Sequence, residues 1–261
     1  MNEINSIFLY IHKYSLGFIN INLIGNIYIL MTIYQNNQIE INKQKDKFTL
    51  VIKKTEKNHE VQQFWNKTSD IIKIDNSSNG NKKLTFKADS IETLSSLLKT
   101  KKNKLSYRHG KILFINFLLQ LNSLEKNGFG IINLDLNDFI VINKDKERYN
   151  TVIIFINSNK IHKLENNHFI FEKPSEVSKL MSCPFNSPEI KNIKNIPIKI
   201  HKNTIYYSIG KMITFCINSE IESNDKDSFE LALSSIFESK LYYGLMRCIE
   251  FNPNERYYLY I

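Results

Sequence analysis

The chain has 261 residues, of which 42% are hydrophobic and 12% aromatic, which supplies enough apolar material for a two-lobed fold with sizeable cores and excludes large-scale disorder. Three cysteines, Cys183, Cys216 and Cys248, are an odd number without paired spacing, which argues against a disulfide scaffold and a zinc site, and six scattered histidines add no metal motif. The formal net charge of +9 raises nucleic acid as a partner, yet the local basic cluster of Lys99, Lys101, Lys102, Lys104 and Arg108 has no interleaved aromatic residues and reads as solvated surface between helices.

Residues from about 10 to 90 form short alternating runs, such as Ile19 to Leu23 and Phe48 to Ile52, broken by clusters of Asn and Lys. Period-two alternation predicts strands of an antiparallel sheet. No charged residue lies between Lys13 and Glu40, so 16–34 has the length of a transmembrane helix, but its asparagines and its alternation favour a half-buried strand over a membrane span. Glu56 to Lys67 is the single helix expected in this half, and residues 76–83 form a hairpin or loop.

From Ser90 onward the pattern turns helical. One helix is predicted over Ile91 to Leu98 and a longer one over Ser106 to Gly128, with Ile112, Ile115, Leu119 and Leu121 near helical spacing and with Gly128 and Gly130 ending it. Two further helices are expected at about 204–217 and 228–249. The predicted class is therefore α+β, a single domain with a small antiparallel sheet and one helix at about 10–90 and a mainly helical remainder at about 91–261.

Four stretches carry motifs in a fixed order. The first is Ile131-Ile132-Asn133-Leu134-Asp135-Leu136-Asn137-Asp138-Phe139-Ile140-Val141-Ile142, and the second is Ser182-Cys183-Pro184-Phe185-Asn186-Ser187-Pro188-Glu189. The third is Ile205-Tyr206-Tyr207-Ser208-Ile209-Gly210, and the fourth runs from Leu241 to Arg256 and ends Phe251-Asn252-Pro253-Asn254-Glu255-Arg256. In this order they resemble the catalytic loop, the Ala-Pro-Glu segment, the start of the following long helix and the C-terminal Asp-Pro-x-x-Arg of the protein kinase superfamily, in its serine/threonine branch. The resemblance implies a two-lobed kinase-like fold over nearly the whole chain. It also implies a buried ion pair between Glu189 and Arg256, with Pro188 and Gly210 in structural roles.

The catalytic residues match less well than these structural ones. Asp135 stands where kinases place the base that takes the substrate hydroxyl proton, but Asn133 and Leu134 replace the preceding His and Arg, and Ile140 replaces the metal-holding Asn. An Asp between apolar runs also serves as a turn residue or helix cap. The second metal ligand of kinases would fall in Thr151 to Lys160, where no carboxylate occurs: Phe155 or Ile156 takes the ligand position, and Asn157 or Ser158 the following Gly. An aliphatic or aromatic side chain cannot hold magnesium, and without the metal the charge developing on a transferred phosphoryl group goes unneutralised.

In the N-terminal half the resemblance implies a nucleotide site at Gly25, the one glycine left in the phosphate-covering loop, at Lys53 of Leu50-Val51-Ile52-Lys53, and at Glu60 as the lysine's partner. ATP bound there would be held without magnesium. The reading is thus a catalytically inactive pseudokinase, a binding or regulatory module with an intracellular protein partner such as a kinase, a kinase substrate or another signalling protein. The alternative is an atypical active serine/threonine kinase that transfers phosphate from ATP through relocated ligands, for which Asp138 and Asp145 are the candidates. The abundance of Asn, Lys and Ile is what an AT-rich genome encodes, as in some large DNA viruses and parasites.

Overall fold

The computed structural model describes residues 31–35, 39–44, 47–52, 67–68, 70–71, 76–78, 83–101, 104–145, 150–219 and 225–259, and the chain divides into two units. In the first unit, β1 (Met31–Gln35), β2 (Ile39–Gln44), β3 (Lys47–Ile52), β4 (Asn76–Ser78) and β5 (Lys83–Lys87) form an antiparallel sheet in the order β1-β2-β3-β5-β4. Alternation puts Ile41, Phe48, Leu50 and Phe86 into its core, where Phe48 lies opposite Phe86 in register and their rings stack at 6.4 Å. The hairpin expected at 76–83 is the β4–β5 connection, with Ser78 opposite Lys83. Of the proposed membrane segment, residues 31–34 belong to strand β1, and no helix among the described residues is long and apolar enough to cross a membrane.

The second unit, expected to be mainly helical beyond residue 91, combines its helices with small antiparallel sheets. Its first described strand is β6 (Ser90–Thr93), followed at once by α1 (Leu94–Thr100). The predicted helix from Ile91 therefore starts three residues late, because the Thr93 hydroxyl accepts the N–H of Ser96 and caps it. Helix α2 (Tyr107–Glu125) begins at its N-cap Ser106, and Gly128, at φ +78°, takes the left-handed turn that follows its end. Its buried stripe is Leu113, Phe114, Phe117, Leu118, Leu121 and Leu124, while the expected Ile112, Ile115 and Leu119 flank it half-buried.

Next come β7 (Phe129–Ile131), β8 (Phe139–Asp145) and β9 (Asn150–Phe155), and β6, β8 and β9 make a three-stranded sheet in the order β6-β8-β9. Phe117 of α2, Phe139 and Phe155 form an aromatic triangle with centroids 5.6 to 6.0 Å apart. Beside it Gln120, fully buried on the apolar face of α2, accepts the Phe155 N–H at 2.9 Å and donates to the Phe155 carbonyl at 3.1 Å and to the Thr68 hydroxyl at 2.7 Å. Lys67, the end of the segment read as the helix of the N-terminal half, belongs with Thr68 to the second unit.

Two ribbons follow, β10 (Ile161–Lys163) against β7 and β11 (His168–Phe171) against β12 (Ile198–His201), with α3 (Pro174–Met181) and α4 (Pro188–Lys191) between β11 and β12. Ile132, Phe169, Phe171, Val177, Leu180, Ile190 and Ile200 make one core cluster there. A Cβ on Gly130 would lie 2.6 Å from the Phe169 ring, so only glycine lets β7 approach it. Helix α5 (Thr204–Ile217) spans the predicted residues and is buried on nearly every side, as an apolar helix must be. The helix predicted over 228–249 is instead α6 (Lys226–Ala232) and α7 (Lys240–Cys248). Ser239 breaks it by accepting the Tyr242 N–H as an N-cap, after Glu238 turns to φ +60°.

Candidate functional site

The chain leaves β7 through Asn133, whose φ of +68° is a left-handed geometry that Asn tolerates. Leu134, in the position of the kinase Arg, is fully buried, and its carbonyl accepts the Cys183 thiol at 2.8 Å. Asp135 comes next as the N-cap of a short 3₁₀ turn, Leu136–Asp138. One of its carboxylate oxygens accepts the Asn137 N–H at 2.8 Å and the Asn137 side-chain amide at 2.9 Å. The Asp138 carboxylate reaches back to the Asp135 N–H at 2.6 Å and completes a capping box.

Asp138 is 4% exposed and is held from three directions, by the Asp135 N–H, by the Asn157 amide at 2.8 Å and by the Lys160 ammonium at 2.6 Å. Burial raises its carboxyl above the ordinary value, against the pull of Lys160 and of the hydrogen bonds. A carboxylate so engaged does not face outward as a metal ligand, which corrects its candidacy as a relocated one. The side chain of Asp145, the other candidate, lies outside the described residues, as do Gly25, Lys53 and Glu60. Ile140, Phe155 and Ile156 are buried in apolar core, with Ile140 opposite Ile154 in the β8–β9 ladder. Among the described residues no group of three His, Cys, Asp or Glu side chains is placed to hold a metal ion. The three cysteines are buried free thiols, and burial pushes the Cys183 thiol up.

Glu189 and Arg256 are brought together. Two hydrogen bonds at 2.5 and 3.0 Å join their planar groups, and Glu189 also accepts the Thr204 hydroxyl at 2.6 Å. Arg256 is 1% exposed, donates to the Glu250 and Phe251 carbonyls, and packs over the Tyr207 ring 5.0 Å from its centroid. Burial acts to raise the Glu189 carboxyl, but the hydrogen bonds from Arg256 and Thr204 outweigh it and hold it below its ordinary value. Pro188 is the first residue of α4, where its missing N–H costs nothing. Gly210 lets α5 pack against the end of α7, since a Cβ there would stand 2.9 Å from Ile249 and 3.0 Å from Cys248.

Beside Asp135 lies a pocket of about 310 Å³, lined by Asp135, Leu136, Pro184, Phe185, Lys211, Phe215 and Ser219. Lys211 and Phe215 are the two residues of α5 that are not fully buried, and at i and i+4 they share the face that opens here. The Phe185 and Phe215 rings meet at 5.7 Å, and the Lys211 ammonium donates to the Pro184 carbonyl at 2.9 Å. Burial and the neighbouring Lys191 bring the Lys211 ammonium down to about 8. Lys211, Phe215 and Lys160 are not among the sequence-predicted site residues. Lys211 is the one charged residue in the fourteen of α5, and a lone cation in an otherwise apolar helix is the signal that points to it. No known family model matches the chain, and no curated protein matches it.

Proposed function

We propose that the chain is a divergent protein kinase-like domain that no longer transfers phosphate and works as a protein-binding or regulatory module. The observation that carries the reading is the bidentate pairing of Glu189 with the buried Arg256, which unites two kinase-like motif regions 67 residues apart. The order of elements supports it: the loop of Asp135, the β8–β9 hairpin, the segment ending at Glu189, then the buried helix α5. Loss of phosphoryl transfer is supported by the state of the Asp135 loop. Asp135 acts as a cap, Asp138 is neutralised internally by Lys160, and the positions at which kinases hold magnesium are apolar and buried.

What such a loop retains is a shaped surface. The pocket beside Asp135 has apolar walls and a few polar groups at its rim, the combination that suits a side chain of a partner protein. The test is a radiolabelled phosphoryl-transfer assay on the purified chain, run beside thermal-shift titrations with ATP, with and without magnesium. No transfer is expected. Magnesium-dependent transfer that is lost in Asp135→Asn would overturn the reading in favour of an active kinase.

A further inference from the structure

We infer that the pocket beside Asp135 takes an extended segment of a partner protein that carries a bulky apolar side chain next to an aspartate or glutamate, with the carboxylate meeting Lys211. The inference rests on the binding-module reading and names the partner's chemistry.

The apolar half follows from the walls. Leu136, Pro184, Phe185 and Phe215 present aliphatic and aromatic surface, and the paired Phe185 and Phe215 rings form one continuous side. A pocket of about 310 Å³ is at the lower end of what holds a small ligand, and it matches one or two side chains of a peptide better than a large cofactor.

The acidic half follows from Lys211, because the two charged residues of the lining, Asp135 and Lys211, form no ion pair with each other. The Asp135 carboxylate keeps its charge, but one of its oxygens is engaged by two hydrogen bonds from Asn137 within its own turn. Lys211 is different: its ammonium donates to the neutral carbonyl of Pro184, and it makes no ion pair with a carboxylate among the described residues. Lys191 lies close enough to repel it. A half-buried cation crowded by a second cation and facing apolar walls is relieved by an incoming carboxylate, which gains a charge-assisted hydrogen bond in a partly desolvated site. A basic side chain placed at Lys211 would meet like charge instead.

The experiment is a selection of the purified full chain against an immobilised random heptapeptide library, followed by fluorescence polarisation with the enriched peptides and their Asp→Asn and Glu→Gln forms. Wild type, Lys211→Met, Lys211→Arg and Phe215→Ala are compared after their thermal melts show that each is folded. The expected result is enrichment of an acidic residue beside Phe, Leu or Met, with about tenfold weaker binding when the acid becomes an amide. That penalty should vanish in Lys211→Met and persist in Lys211→Arg, while Phe215→Ala weakens the acidic and amide peptides alike. Enriched peptides without an acidic preference, or with one that Lys211→Met leaves intact, overturn the inference and leave the binding-module reading standing. A library that yields no enriched peptide overturns both.

Discussion

Arg256 closes on Glu189 through two hydrogen bonds while its guanidinium lies over Tyr207, so a residue near the C-terminus is fixed to the entrance of helix α4. Its side chain is fully buried, whereas that of Glu189 is 26% exposed, and the two partners are therefore unequal. Removing Glu189 strands a buried cation. Glu189→Ala is expected to destabilise the chain by about 3–5 kcal/mol, read as a lower urea midpoint with an unchanged slope. A midpoint shift below about 1 kcal/mol would show that the pair contributes no more than an exposed one.

The same pair sets a dependence on acid. A carboxyl held below its ordinary value binds its proton less readily in the folded chain than in the unfolded one. Its contribution is fully present above the unfolded-state value of about 4.3 and is lost as the pH falls through the lower folded value. Urea midpoints measured between about pH 6 and pH 3 should fall for the wild type, and the fall should be shallower in Glu189→Gln. Parallel curves would assign the acid sensitivity to other carboxylates.

Lys160 neutralises Asp138 inside the protein, and its removal should enlarge a pH effect that the buried carboxyl already sets. Burial already raises the Asp138 carboxyl, and without the ammonium the charged form loses its strongest counterweight. A carboxyl whose folded value lies above the unfolded one destabilises the fold as the pH rises through that range. Lys160→Met should therefore lose about 3 kcal/mol near pH 7 and recover part of it near pH 5, seen as a melting temperature that rises on mild acidification. A variant equally destabilised at both pH values would mean that Lys160 acts through packing alone.

Gly210 is a packing contact rather than a hinge. Gly210→Ala would drive a methyl to within 2.9 Å of Ile249 and 3.0 Å of Cys248, and the expected loss from overpacking is about 1–3 kcal/mol by thermal melt. Ile249→Ala in the same background should return part of that loss by making room. If it adds its own penalty in full, the two sites are not in contact.

How far the sequence spoke for the structure differs from element to element. Helix α5 was legible because its run is apolar but for Lys211 and a few small polar residues, and such a helix is buried on nearly every side. The pairing of Glu189 with Arg256 was legible only through motif context, since nothing local relates residues so far apart. Helix α2 was placed well, but its buried face was not: apolar residues occur on two adjoining faces, and the stripe that carries Phe114 and Phe117 won because aromatic rings fill the space beneath the β6-β8-β9 sheet. The break between α6 and α7 has no Pro or Gly to announce it. It comes from Ser239 satisfying backbone groups that a continuous helix would have used. The pocket was not legible, because it is assembled from the Asp135 loop, the segment at Pro184 and one face of α5, and no spacing rule connects those three.

Gln120 has one more consequence. Strand β9 is the last strand of its sheet, and the outward-facing amide and carbonyl of Phe155 are the groups through which another strand would add. By taking both, a single glutamine side chain seals the end of that rim, so an intruding strand, whether from a second molecule or from a misfolding segment, would first have to evict it. A residue that reads as an oddity on an apolar helix thus satisfies the edge backbone groups at one end of a strand.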